Sequence, residues 1–248
     1  MSEGIAIVTP VLNERSGLPR MIDSVLSQTV PPGLHLIVDG GSLDGSYKIC
    51  TRYAAAAPYP VRVVRQKGEG LYTALNEGME LADAPLLGVL NANDRYASSE
   101  VLSRVSEAMA GSDADLLYGD IRYERPDGSR GRLYSGARFR SDMLRDGFMP
   151  PHPSIYIRRE LWDAVGPYRT SYRIAGDFDW LVRALLIKKA RGLYLPMEMV
   201  LMNGGGVSAR MSSRLWRTPC EKWLSLRANG CGSSPLRLLK RYFHIFDK

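Results

Sequence analysis

Short apolar runs alternate with longer stripes of helical spacing through the first half of the chain. Residues 5–8 form an apolar run of strand length, and Leu18, Met21, Ile22, Val25 and Leu26 then recur at i, i+3, i+4, i+7 and i+8, the spacing of an amphipathic helix. The unit repeats: residues 35–38 read as a strand, and Ile49, Cys50, Tyr53, Ala54 and Ala57 share a helical face that Pro58 and Pro60 close. Residues 61–64 give a third strand, Gly68 and Gly70 punctuate the turn, and Leu71, Ala74, Leu75, Gly78, Met79 and Ala82 make the next inner stripe. Residues 86–90 are a fourth strand, Val101, Leu102, Val105, Ala108 and Met109 mark a helix, and residues 114–118 are a further strand. Strands alternating with helices predict a doubly wound, mostly parallel α/β sheet with right-handed returns, the organisation of a nucleotide-binding half.

Three of these strands run into an acid: Asp39, Asp94 and Asp120. In open α/β sheets ligands sit beyond the carboxyl ends of the strands, so acids gathered there address a ligand. A single such Asp is as readily a turn former or a helix cap; three converging on one edge make capping alone a poor account.

Beyond residue 120 the texture changes. Arg122, Arg125, Arg130, Arg132, Arg138, Arg140 and Arg145 crowd a stretch whose alternation at Arg132-Leu133-Tyr134 predicts a hairpin followed by a loop. These arginines form either a solvated face or a lip for a phosphorylated substrate, which guanidinium groups hold bidentately. Pro150-Pro151-His152-Pro153 is too stiff for helix, residues 154–157 read as a buried strand, and residues 174–180 lead into a helix marked by Leu181, Val182, Leu185 and Leu186.

The charge is lopsided. Of the net +7, all lies in residues 208–248, where nine Lys or Arg face Glu221 and Asp247, so residues 1–207 carry 24 of each sign. Pro235, Leu239, Tyr242, Phe243 and Phe246 fall on one face there, with Arg237, Lys240, Arg241 and His244 beside them. Such a basic amphipathic helix suits an anionic membrane surface, or docks on the rest of the protein with its basic face in water. The charge lies with Leu and Phe rather than with a nucleic-acid reader motif, so no nucleic acid is expected as a partner. Cys50, Cys220 and Cys231 form no CxxC pair and leave one thiol over in any disulfide scheme, which favours a reducing, cytoplasmic compartment. No signal-peptide pattern opens the chain and no apolar run reaches the roughly 18 residues of a membrane span.

The motifs in order resemble a family 2 glycosyltransferase. They are residues 5–14 (IAIVTPVLNE), 38–45 (VDGGSLDG), 70–78 (GLYTALNEG) and 90–94 (LNAND), then Gly176-Asp177 ahead of a helix. Each is weak alone, and the five in this order are specific. The resemblance covers roughly residues 5–208, and its Gly204-Gly205-Gly206-Val207-Ser208 ending is similar to bacterial colanic-acid and other exopolysaccharide enzymes.

That resemblance implies a GT-A fold in residues 1–207, with a nucleotide-binding half at 1–120 and an acceptor and catalytic half at 121–207; the basic amphipathic helical tail at 208–248, read from charge and spacing, lies beyond it. The resemblance also implies a UDP- or GDP-type sugar donor, a divalent metal (Mg²⁺ or Mn²⁺) and an inverting displacement. The implied donor contacts are Thr9, Pro10, Asn13, Glu14, Asp39, Gly70, Asn76 and Asn93, with Asp94 for the metal. Asn93 stands where the family commonly has an acid, which leaves Asp94 as sole carboxylate, although Mg²⁺ often takes only one or two from the protein. Asp177 is the implied base, with Asp179 as competitor; Gly176 replaces the family's usual Glu. His152 is a candidate for touching the diphosphate or the acceptor.

The expected acceptor is a glycan or a polyprenyl-diphosphate-linked sugar, met in the cytoplasm or on the inner face of the plasma membrane during cell-surface polysaccharide assembly. The Gln-x-x-Arg-Trp pattern of processive synthases is missing, so one sugar is transferred at a time. A nucleotide-sugar-binding module without catalysis is the alternative, suggested by Asn93 and Gly176. A dinucleotide oxidoreductase fits poorly, because no Gly-x-Gly-x-x-Gly follows the first strand.

Overall fold

A computed structural model describes residues 4–125, 127–203, 217–234 and 237–238. The Gly204 to Ser208 ending and the amphipathic face from Pro235 to Phe246 lie outside the described residues, apart from the pair 237–238. The predicted strand–helix units are all present: β1 (Ile5–Val11), α1 (Leu18–Leu26), β2 (Leu34–Asp39), α2 (Ser46–Ala56), β3 (Val61–Arg65), α3 (Leu71–Leu81) and β4 (Leu86–Val89). A short β5 (Arg95–Tyr96), α4 (Val101–Ala110), β6 (Leu116–Glu124) and β7 (Arg130–Tyr134) follow, then β8 (Tyr156–Arg158), α5 (Arg159–Val165), α6 (Gly176–Leu181), β9 (Gly192–Asn203) and α7 (Thr218–Ala228).

One curved sheet runs in the order β3-β2-β1-β4-β8-β6-β9-β5, with β7 added to β6 as the predicted hairpin. The first four strands are parallel, β8 is antiparallel to both β4 and β6, and β6 is again parallel to β9. Two reversals across β8 leave β6 pointing the same way as β4. The ends of β1 to β4, β6 and β9 therefore share one edge.

The two-residue period of β1 splits the core between the sheet's faces. Ala6 and Val8 join Leu36, Val38, α3 and α6 on one side, whereas Ile5 and Ile7 join Ile37, α1, α2 and α4 on the other. Helix α3 lies close on its face at Gly78, where an added Cβ would stand 2.3 Å from Val8 Cγ1. This contact fixes the height of the α3 N-terminus over the ligand edge.

One expectation is corrected. Asp120 is no strand terminus, because β6 continues to Glu124; its carboxylate accepts from Ser135 Oγ and Gly136 N, both at 2.8 Å, and from Tyr194 at 3.1 Å, so it is a strut. Beyond the 207/208 boundary, the described part of residues 208–248 includes α7, which packs on the rest of the fold. Helix α7 buries Leu226 and Lys222 and bonds directly to α6, as described below.

Candidate active site

At the shared edge, the loop after β1 is sewn to the loop after β2. Ser42 Oγ accepts from Asn13 N at 3.0 Å, Asn13 Oδ1 accepts from Leu43 N at 2.8 Å, Ser46 Oγ accepts from Glu14 N at 2.9 Å, and Asp44 accepts from Arg15 N at 2.9 Å. Asn13 adopts φ +54°, a left-handed conformation that asparagine tolerates better than most residues. Burial and the charge of Asp44 raise the Glu14 carboxyl above its ordinary range. Pro10 is half-buried beside them in β1, and the Thr9 side chain is turned into the core, bonded to His35 Nε2 at 2.9 Å. Of Thr9, only the main chain is left for a ligand.

Asp39 closes β2 with 0% exposure. Its Oδ2 accepts from Gly41 N at 3.0 Å, Ser42 N at 3.2 Å and the Arg65 guanidinium at 3.0 Å, whereas its Oδ1 is buried without a partner among the described residues. An orphan buried carboxylate oxygen is costly unless a ligand donor completes it. Arg65, which the sequence patterns did not single out, also lies 3.9 Å over the Tyr47 ring.

The third unit divides. Gly70 begins α3 at φ +92°, and its carbonyl accepts from Gln66 Nε2 at 2.9 Å; Glu77 gathers the Lys67 and Gly68 N–H groups of the same loop. Asn76 does not face this loop. Its Nδ2 donates to Tyr168 O and its Oδ1 accepts from Tyr168 N, both at 2.8 Å, so the amide is a strut to the segment before α6.

Asp94 follows β4, 4% exposed. It accepts from Asn91 Nδ2 at 2.8 Å and from Asn203 N at 3.2 Å, and burial pushes its carboxyl up to about 6, with the charge of Glu14 adding to the rise. No described cationic side chain pairs with it. A polar cavity of about 110 Å³ opens beside it, lined by Ser16, Arg20, Asn93, Asp94, Arg95 and Glu124. Arg20 and Arg95 clamp Glu124 at 2.8 and 2.7 Å, and Asn93 Oδ1 accepts from Asn203 Nδ2 at 3.2 Å. Among the described residues no three His, Cys, Asp or Glu side chains converge as a metal cage. The donor set still fits a hard divalent cation that brings phosphate and water ligands with it, because a buried carboxylate without a counter-cation is what such an ion stabilises.

Asp177 and Asp179 both sit on the first turn of α6, with different surroundings. Asp177 is half-buried; its Oδ1 accepts from Phe178 N at 2.8 Å and from Tyr72 at 3.2 Å, and no described residue bonds its Oδ2. Asp179 is fully buried and bonded to Arg169, Arg183, Asn229 and Ser225 at 2.9 to 3.0 Å. His152 lies near enough to feel the Asp177 charge, but its Nε2 pairs with the Tyr168 hydroxyl at 3.2 Å, and burial lowers its pKa below the ordinary 6.5. A neutral imidazole held this way offers no counter-charge to a diphosphate.

Helix α7 supplies groups that sequence patterns did not single out. Glu221 accepts from Ile174 N at 2.8 Å and Ala175 N at 2.9 Å, capping α6 from outside, while Lys222 donates to Gly147 O at 2.7 Å over the Phe178 ring. The arginine-rich hairpin is partly spent: Arg122 and Arg130 both bind Glu198, and Arg125 ties its own turn, whereas Arg132 and Arg138 are exposed.

These side chains gather at one edge of a mixed α/β sheet, beyond the carboxyl ends of its parallel strands, where ligands of such sheets sit. Residues 6–174 match Glycosyl transferase family 2, and the chain belongs to that family. It is 30% identical over 226 residues to a PGL/p-HBAD biosynthesis glycosyltransferase of Mycobacterium bovis, covering 90% of this chain and 86% of that protein. It is 24% identical to glycosyltransferase AglE of Haloferax volcanii over 73% of this chain and 60% of that one. Its fold is similar to that of residues 1–349 of S. aureus TarS in complex with UDP-GlcNAc, with a TM-score of 0.73 and 15% identity over 90% of this chain and 66% of that one. It is similar also to the mannosyltransferase PcManGT of Pyrobaculum calidifontis in complex with GDP-Man and Mn²⁺, with a TM-score of 0.68 and 17% identity over 97% of this chain and 68% of that one. The fold is GT-A, and the protein is a glycosyltransferase.

Proposed function

We propose that this glycosyltransferase moves one sugar from a nucleoside-diphosphate sugar to a hydroxyl of a lipid-linked or oligosaccharide acceptor, with inversion, during cell-surface polysaccharide assembly. The observation that carries the donor assignment is the unpartnered buried Oδ1 of Asp39 at the carboxyl edge of β2. An N–H of a nucleobase, or a ribose hydroxyl, completes it, with Pro10, Asn13, Glu14 and the main chain of Thr9 forming the adjoining wall. TarS and PcManGT, bound to UDP-GlcNAc and to GDP-Man, support a donor of this class.

Asp177 is the base. The acceptor hydroxyl gives its proton to Oδ2, the acceptor oxygen bonds to the anomeric carbon, and the bond from that carbon to phosphate oxygen breaks with its electron pair leaving on the diphosphate. Asp94, with Asn93 beside it, would hold a Mg²⁺ or Mn²⁺ arriving with the donor, and such an ion supplies counter-charge for the departing diphosphate. Asp179 and Asn76 are assigned no contact with reactants, since their polar atoms are committed within the protein, and the Nε2 of His152 is taken by Tyr168.

The +7 charge of residues 208–248 supports an acceptor met at an anionic membrane surface, and free Cys50, Cys220 and Cys231 fit the cytoplasmic side. No described helix is long and apolar enough to cross a membrane.

Calorimetric titration with UDP, GDP and TDP, paired with nucleoside diphosphate release from the corresponding sugars with and without Mn²⁺, tests the assignment. Asp39→Ala is expected to weaken nucleotide binding about 10- to 100-fold, the worth of a hydrogen bond to a charged group. Asp177→Asn should bind as wild type and lose turnover by at least about 100-fold. Unchanged binding in Asp39→Ala would reduce that turn to structure.

A further inference from the structure

We propose that Tyr72 is the positioning residue of the base, holding Oδ1 of Asp177 so that Oδ2 alone faces the acceptor. This rests on Asp177 being the base. Gly176 opens α6, and a Cβ added there would lie 2.7 Å from Cε2 and Cζ of Tyr72 and 2.8 Å from its Cδ2. The tyrosine ring therefore fills the volume that a side chain at 176 would take. Gly176 is the complement of Tyr72 rather than the mark of a lost catalytic acid.

Tyr72 is 5% exposed, and its hydroxyl stands 2.5 Å from Ile174 O and 3.2 Å from Asp177 Oδ1. A phenol has one proton, so it serves one of these acceptors at a time or divides itself between them. The Ile174 carbonyl is the nearer acceptor, and an ionised Oδ1 competes with it for the proton. Once Oδ2 has taken the acceptor's proton, Oδ1 weakens and the Ile174 carbonyl takes the phenol's hydrogen bond. The ring need not move, and Tyr72 is satisfied before and after proton transfer.

Burial, with the Asp177 charge adding to it, raises the Tyr72 pKa well above the ordinary tyrosine value, so the phenol stays a donor. The same carboxylate is sensed by His152 and Tyr168, which bond to each other, while Glu221 fixes the main chain of the turn from α7. Tyr72 is thus the one described side chain that donates to Asp177.

The test uses the full chain and whichever of UDP-GlcNAc and GDP-mannose it hydrolyses faster, water serving as acceptor. Tyr72→Phe keeps the ring against Gly176 and removes the hydroxyl. It should lower kcat about tenfold, with donor KM within about twofold, since donor binding does not involve Asp177. The acid limb of the pH–rate profile should move up by about half a unit, because the ionised base has lost a donor. Replacing Tyr72 by 3,5-difluorotyrosine, a stronger donor, should move that limb down. Wild-type kcat and an unmoved limb in both variants, with Asp177→Asn inactive, would overturn the positioning role. A fall in kcat that only tracks loss of folded protein would overturn it too. Turnover retained by Asp177→Asn would instead remove the assignment of the base.

Discussion

Asp177 and Asp179 show how little a side chain's type says about its task. Both are acids on one turn, yet Asp179 is enclosed by Arg169, Arg183, Ser225 and Asn229, whereas Asp177 keeps one oxygen without a described partner. Asp179→Ala should leave the half-buried Arg183 with main-chain carbonyl partners alone, and lower unfolding free energy by on the order of 3 kcal/mol in urea titrations. Asp177→Asn, whose amide oxygen still accepts from Phe178 N, should stay within about 0.5 kcal/mol of wild type while losing turnover. Similar stability losses in both would mean that neither acid is set aside for chemistry. The sequence puts both aspartates at the start of a helix, and its family resemblance prefers Asp177 with Asp179 as competitor. Their separation in the structure depends on Arg169, Ser225 and Asn229, which come from other segments and carry no local pattern. Asn76 was opaque for the same reason: its position on α3 follows from helical spacing, but its partner is a backbone 92 residues away.

The strand–helix units of the first half were legible because each has its own period and its own turn residues, and a parallel sheet leaves them few arrangements. Helix α7 was not, because its role lies in polar contacts across the fold. Glu221 takes the N–H groups of Ile174 and of the N-cap Ala175, pinning the segment that enters α6, a service usually performed by a residue local to the helix. Net charge marks residues 208–248 as a tail, whereas the bonds of Glu221, Ser225 and Asn229 to α6 and the segment that enters it carry no charge or spacing signal. Glu221→Ala leaves both buried donors unsatisfied. We expect a loss of about 1–3 kcal/mol in stability, together with a fall in turnover larger than any change in nucleotide affinity, since Asp39 lies on a different element. A variant that loses nucleotide affinity first would show that α7 braces the donor half instead.

Two buried groups pull the stability of the whole protein in opposite directions as the pH falls. His35 is enclosed between Thr9 and Tyr53, and burial lowers its pKa to about 3. The unfolded chain therefore binds a proton that the folded one refuses, and stability falls as pH drops from about 6.5 towards 3. Asp94, pushed up to about 6, has the reverse sign. Between pH 6 and about 4 the folded state takes up a proton that the unfolded carboxyl declines, so stability rises as pH falls over that window. Each slope approaches about 1.4 kcal/mol per pH unit, and between pH 6 and 4 the two largely cancel. In EDTA, Asp94→Asn should remove the rising contribution alone, and urea midpoints from pH 7 to 4 should then fall more steeply than in wild type. His35→Gln should do the opposite, with a flatter or rising profile. Parallel profiles for wild type and Asp94→Asn would mean that the carboxyl beside the polar cavity is not held out of water in the folded protein, and the case for a cation there would lose its physical basis.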